Sequence, residues 1–232
     1  MEYLHNGFTL NICEGAFPLS TDSIALAEFV RLPRNAAVLD LGSGCGTLGL
    51  LLCAEHPDCR VTGVELSTAA HETALDNISR NQISQRVTSL CKDLRQLDGL
   101  LTPGSFHCCV SNPPYFSGGP ASKATPVARR NDFCSTQELF AAAARALRYG
   151  GDFFLVHRPE LLAELCGCAR EYQLEPKRLR LLRHKENGPV SLILLACRKG
   201  GKPGLIWEEC ALYDAGGAPT AYYKKLYHLQ EA

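Results

Sequence analysis

From residue 36 onward the chain alternates short apolar runs with longer segments whose apolar residues recur at helical spacing. Val38, Leu39 and Leu41 make a short strand around Asp40, followed by Gly42-Ser43-Gly44-Cys45-Gly46 and a helix through Leu52. Residues 60–66 read as a second strand and 67–81 as a second helix; 87–94 and 106–111 are a third and a fourth strand. Residues 135–147 predict a helix closed by Gly150-Gly151, then a strand over 152–157 and a helix over 159–172 with Pro159 in its first turn. Two late strands, 177–184 and 190–198, flank Asn187-Gly188. Ahead of this pattern, residues 7–17 alternate loosely (Phe8, Leu10, Ile12) and contain Glu14-Gly15, as a hairpin or edge strands do. Ser20-Thr21-Asp22-Ser23 then precedes an apolar helix over 24–30 that Pro33 ends. Residues 116–134, rich in Gly, Ser, Pro and Ala, read as a long loop of the kind that carries function. The last 30 residues give only weak signals.

Strands alternating with helices predict a mostly parallel sheet with helices on both faces, the late hairpin adding an antiparallel element. The chain divides into an N-terminal hairpin and helix (1–35), an α/β domain (36–200) and a tail packed on or beside it (201–232). With 232 residues, 46% apolar and 21% charged, wholesale disorder is excluded. Apolar runs are far shorter than a membrane span, and the N-terminus lacks the basic and apolar regions of a secretory signal. The 12 cysteines include no C-x-x-C pair, and several lie inside apolar runs. They read as buried small hydrophobes in a reduced, cytoplasmic protein, with no metal site expected.

The balance of 24 basic against 24 acidic residues averages two unlike halves. Residues 1–115 hold 7 basic and 12 acidic side chains; residues 116–232 hold 17 and 12. The stretch 177–202 alone has Lys177, Arg178, Arg180, Arg183, Lys185, Arg198, Lys199 and Lys202 against Glu186. Such asymmetry is a signal of a charged partner, the alternative being a solvated strand face with snorkelling stems.

Gly44-x-Gly46-x-x-Gly49 matches a dinucleotide fingerprint, a weak signal by itself. Charge argues for another ligand. Asp40 at the tip of the first strand, Glu65 at the end of the second and Asp93 near the end of the third line one crevice at the carboxyl edge of the sheet. That rim suits a cationic ligand with hydroxyl groups better than a pyrophosphate. S-adenosylmethionine, with a sulfonium, an ammonium and a ribose diol, is such a ligand. Asn112-Pro113-Pro114-Tyr115 directly follows the fourth strand. The prolines fix the backbone and remove two donors, so the Pro113 carbonyl is a rigid acceptor beside the Asn112 side-chain oxygen, with Tyr115 as a flat platform. Two acceptors and a stacking face suit a planar NH₂ group.

Asp40-Leu41-Gly42-Ser43-Gly44-Cys45-Gly46 resembles the first motif of class I methyltransferases, and Val64-Glu65-Leu66 their second. The resemblance implies a seven-stranded Rossmann-like sheet with the last strand antiparallel. It also implies S-adenosylmethionine as cofactor. Asp40, Leu41, Gly42, Gly44 and Gly46 would hold the methionine end, Glu65 and Leu66 the ribose, and Asp93 with Leu94 the adenine amine. Asn112-Pro113-Pro114-Tyr115 resembles the fourth motif of amino-group methyltransferases, which act on adenine-N6, guanine-N2 or a release-factor glutamine. Phe116 after this motif, Ser20-Thr21-Asp22 before the first helix, and Ala128-Arg129-Arg130 narrow the likeness to the tRNA adenine-N6 methyltransferases, which modify adenosine 37 of a valine tRNA. The implied catalytic residues are Asn112, Pro113, Pro114 and Tyr115. Phe116, Arg129, Arg130, Lys177, Arg178 and Arg180 are candidate tRNA contacts, and a monomer is assumed. The competing readings are rRNA guanine-N2 or glutamine methylation, a DNA adenine enzyme, an NAD-dependent oxidoreductase and a non-catalytic RNA-binding module.

Overall fold

Parallel strand pairing requires each connection to cross the sheet, and the helical segments between the predicted strands make those crossings. A computed structural model describes residues 1–4, 6–113 and 134–229. In chain order its elements are β1 (Glu2–Tyr3), β2 (Thr9–Leu10), α1 (Thr21–Phe29), β3 (Ala37–Leu41), α2 (Thr47–Glu55), β4 (Arg60–Glu65), α3 (Thr68–Arg80) and β5 (Val87–Cys91). Then follow β6 (Phe106–Ser111), α4 (Thr136–Ala146), β7 (Leu147–His157), α5 (Leu162–Glu171), β8 (Leu174–Lys185), β9 (Val190–Lys199), β10 (Ile206–Tyr213) and α6 (Ala221–Leu226). The short β1–β2 pair is antiparallel and separate. The other strands form one sheet in the order β10-β8-β9-β7-β6-β3-β4-β5.

The Rossmann-like, mostly parallel class expected from the sequence is the one observed, with β9 antiparallel to both β7 and β8. The strand count differs. Among the described residues eight strands form this sheet, because the tail supplies β10, which pairs in parallel with β8. The tail's α6 then packs back toward α1. The third strand also stops at Cys91, because Asp93 caps a single 3₁₀ turn, Leu94–Gln96.

Alternating strand side chains feed two cores. Val38, Cys108 and Phe154 face α1, α2 and α3; Leu39, Cys109 and Phe153 face α4 and α5. Edge-to-face ring pairs anchor each side: Phe29 with Phe154 (6.1 Å) and Phe140 with Phe153 (5.1 Å). Among the described residues no helix is long and apolar enough to cross a membrane. The chain builds outward from β3 through β4 to β5, then returns to place β6 on the other side of β3. That reversal opens a crevice at the carboxyl ends of β3 and β6, where ligands of such sheets bind.

Candidate active site

The crevice is a cleft of about 1030 Å³. Its floor is the loop after β3. Gly42, Gly44 and Gly46 have φ of +75°, +54° and +84°, a left-handed run that side chains with a Cβ resist. The loop is tied down by Gly42 and Ser43 N–H groups donating to the Val64 carbonyl (2.9 and 3.0 Å). Gly63, on β4, leaves room for it: a Cβ there would lie 2.7 Å from Ser43 Oγ.

Asp40 is 1% exposed, and neither carboxylate oxygen has a hydrogen-bond partner among the described residues; Ser43 Oγ is likewise unpartnered. Burial, reinforced by the nearby Glu65 charge, pushes the Asp40 carboxyl up to about 8. Buried acceptors without donors are costly unless a ligand supplies them. Beside them Gly46 is the N-cap of α2, which has no side-chain cap and no acidic residue in its first turn. A helix N-terminus left bare favours an anion. A buried acid next to a bare helix N-terminus complements the ammonium and carboxylate of an amino acid, so these residues fit the methionine end of S-adenosylmethionine.

The other two acids differ from Asp40. Glu65 Oε2 accepts from the Gly44 N–H (2.8 Å) and Oε1 from the Ser67 N–H (2.7 Å), so the side chain braces the glycine loop from the cleft wall. Asp93 lines the cleft with Leu66 and Leu94, but Arg95 claims both its oxygens at 2.5–2.9 Å and holds its carboxyl below the usual range. The rim of three equivalent carboxylates drawn from the sequence is thus one uncompensated acid and two that are already engaged.

Asn112 and Pro113 line the cleft at the end of β6. Ser111 Oγ donates to the Leu41 carbonyl (2.8 Å), locking the two strand tips together, and Asn112 Nδ2 donates to Ser23 Oγ (3.0 Å). Pro114, Tyr115, Phe116, Arg129 and Arg130 lie outside the described residues.

Four residues escaped the reading of the sequence. Ser23 is one and Gly63 a second. Asn77, 1% exposed on α3, accepts from the Asn11 N–H (2.8 Å) and donates to the Asn11 and Cys45 carbonyls (2.9 Å each), joining the N-terminal segment to the glycine loop. His157 lines the cleft from the end of β7; its Nδ1 accepts from the Arg158 N–H (2.8 Å), and burial lowers its pKa.

The basic stretch 177–202 does not form one free face. Arg180 is buried and paired with Glu28 and Glu208, with its guanidinium also bonded to the Tyr222 hydroxyl. Arg178 lies 4.2 Å above the Phe29 ring and donates to the Phe29 carbonyl, and Lys177 donates to the Lys202 carbonyl. Lys199 caps the carbonyls of Ala144 and Leu147 on the opposite side of the sheet. The candidate tRNA contact at Arg180 is therefore corrected to a structural ion pair. Arg178 and Lys177 are bound up in the same framework, and none of the three lines the cleft.

A doubly wound sheet whose switch-point crevice carries a buried acid, a glycine loop and an Asn-Pro tip is a Rossmann-like enzyme of the methyltransferase type. The fold agrees: a predicted O-methyltransferase from Agrobacterium tumefaciens superposes with a TM-score of 0.74 at 22% identity, covering 91% of this chain and 98% of that one. Residues 19–166 match the model of the methyltransferase small domain, and the chain belongs to that family. It is 32% identical over 162 residues to the tRNA1(Val) (adenine(37)-N6)-methyltransferase of Aeromonas hydrophila, covering 68% of this chain and 67% of that protein. It is 28% identical over 184 residues to the protein of the same name from Bacteroides fragilis, covering 78% and 77%.

Proposed function

We propose that the chain transfers a methyl group from S-adenosylmethionine to the exocyclic N6 of an adenine in tRNA, at position 37. The observation that carries the reading is the placement of Asn112 and Pro113 in the same cleft as the unpartnered Asp40. The named relatives, tRNA1(Val) adenine-37 enzymes, supply the substrate. A cytoplasmic setting follows from that substrate.

The bound cofactor supplies an electrophilic methyl group on a sulfonium. Asp40 and the bare start of α2 would take its amino-acid end, with Leu41, Gly42, Gly44 and Gly46 forming the seat. Glu65 and Leu66 would hold the ribose, and Asp93 and Leu94 would flank the base. On the substrate side, an adenine inside a stacked loop is out of reach, so it must leave its stack to enter the cleft. Asn112 Oδ1 and the Pro113 carbonyl each accept one N6 hydrogen, which turns the nitrogen lone pair toward the methyl group. In the chain Pro114 and Tyr115 follow at once, and stacking on Tyr115 would contribute about 1–3 kcal/mol. N6 would accept the methyl group as the sulfonium becomes a neutral thioether, and one N6 proton would then leave to solvent. Most of the acceleration comes from orientation.

The test is methyl transfer to an unmodified valine tRNA transcript, followed by nucleoside mass spectrometry. N6-methyladenosine from the wild type and only a small residual amount from Asn112→Ala, with cofactor binding intact, is the expected result. N2-methylguanosine, or label on a release factor instead of RNA, would replace the reading with one of the other amino-group substrates.

A further inference from the structure

Helix α1 reads, in sequence, as a capped apolar helix, and Ser23 in its first turn is not among the candidate site residues. Its third residue, Ser23, is nevertheless buried at 6% exposure and lines the cleft. Across 89 residues of chain, its Oγ accepts a hydrogen from Asn112 Nδ2 at 3.0 Å. The Ser23 backbone N–H donates to the N-cap Ser20 Oγ, so the hydroxyl rides on an ordered first turn. The helix itself is held at both ends. Thr21 Oγ1 is 2.8 Å from the Tyr227 hydroxyl just past α6, and Glu28 meets both Arg180 of β8 and Lys225 of α6. Phe29 packs edge-on against Phe154. Ser23 is thus fixed by the sheet, by α6 and by its own cap.

An amide side chain turns about its last bond with little preference, because its two ends are nearly the same shape. The methyl-accepting site needs the oxygen of Asn112, not its NH₂. We propose that Ser23 is a positioning residue for Asn112. By accepting from Nδ2 it fixes the plane of the amide and holds the NH₂ against α1. Oδ1, on the other branch of Cγ, is then the end that receives the N6 hydrogen. The tail serves the same purpose at one remove, since β10, α6 and the residue after it supply Glu208, Tyr222, Lys225 and Tyr227 to the clamp on α1.

This inference rests on the adenine-N6 reading, and its test separates the two. Wild-type protein, Ser23→Ala, Ser23→Thr, Asn112→Ala and the Ser23→Ala/Asn112→Ala pair are compared with valine tRNA transcript and S-adenosylmethionine. Ser23→Ala should lower kcat about fivefold to tenfold, the loss of one orienting hydrogen bond. KM for the cofactor and affinity for S-adenosylhomocysteine should stay within about twofold, and Ser23→Thr, which keeps the hydroxyl, should recover most of the rate. In the Asn112→Ala background Ser23→Ala should cost nothing further, and the Tm changes of the two single variants should be non-additive. A wild-type kcat in Ser23→Ala, or equal losses with and without Asn112, overturns the positioning role while leaving the reaction standing. A wild type that methylates no adenine in tRNA overturns the reaction itself. If Ser23→Ala fails to fold, Ser23→Cys, which keeps the volume and replaces the hydroxyl with a weak acceptor, is read by the same criteria.

Discussion

Asp40 offers a test that needs no RNA. In the free protein its carboxyl has a pKa of about 8, raised first by burial and then by Glu65. At pH 7 such a group is protonated in roughly nine molecules of ten. An ammonium group pairs with the carboxylate form, so binding at pH 7 must expel about 0.9 proton if the paired acid drops well below its free value. Each pH unit of unfavourable protonation costs about 1.4 kcal/mol, so affinity should rise close to tenfold from pH 6 to pH 7, about fivefold more to pH 8, and flatten above that. Calorimetric titration of S-adenosylhomocysteine at several pH values, in buffers of different protonation enthalpy, reads both the slope and the proton count. Asp40→Asn keeps the shape and removes the charge; it should bind more weakly and lose the proton release. Stability of the ligand-free protein carries the matching sign. Between about pH 4 and pH 8 native Asp40 holds a proton that the unfolded chain has lost, so its contribution falls as pH rises through that window, and Asp40→Asn should be exempt. Affinity that is flat from pH 6 to pH 7, with no proton released, would refute the argument.

Two further substitutions probe the framework. Gly63→Ala would place a Cβ 2.7 Å from Ser43 Oγ and 2.9 Å from Ser43 Cβ, so the glycine loop must shift. Weakening of S-adenosylhomocysteine binding by about tenfold or more, with a cost of about 1–3 kcal/mol in urea unfolding, is expected; unchanged binding would mean the loop yields freely. Arg180→Ala removes a guanidinium with 8% side-chain exposure from Glu28 and Glu208, and should cost about 3 kcal/mol in unfolding free energy. The salt dependence of tRNA binding should be unchanged in a folded Arg180→Ala protein, and a slope reduced by about one would restore Arg180 as a phosphate contact. Burial works to raise the Glu28 pKa, but Lys225 and Arg180 together outweigh it and hold the value low. The stabilisation from this cluster is therefore present above the usual carboxylate range and lost as pH falls through the lowered value.

What could be read along the chain was what is local along the chain. The glycine loop lies beside Asp40, and Asn112 sits beside Pro113, so a few consecutive residues carry both the backbone constraint and the chemistry. Strand β10 was missed because it is an edge: Ile206, Trp207, Glu208 and Glu209 are exposed in succession, leaving no alternation to detect. Its pairing with β8, in a parallel register running from Ile206 with Arg178 to Tyr213 with Lys185, is visible only in the folded chain. Ser23 and Asn77 were missed for a related reason. A serine in a first helical turn and an asparagine late in a helix look like surface residues until partners 89 and 66 residues away are known.

The basic stretch shows the same limit from the side of charge. A linear count sets eight cations against Glu186, but folding brings Glu28, Asp152, Glu208 and Glu209 to them from outside the stretch. Those pairs neutralise locally, and the uncompensated field shrinks accordingly. The acidic half behaves alike, with Asp93 spent on Arg95 and the Glu65 oxygens on two backbone N–H groups. In the proposed site, selectivity for a cationic ligand would therefore concentrate in Asp40, the buried cleft acid left without a donor among the described residues. A dinucleotide would set its phosphates against that acid, whereas an amino acid ligand satisfies it and the bare start of α2 together. The zero net charge excludes no partner, because in the proposed site the ligand would be selected by a single buried carboxyl whose ionisation, at neutral pH, waits for the ligand to arrive.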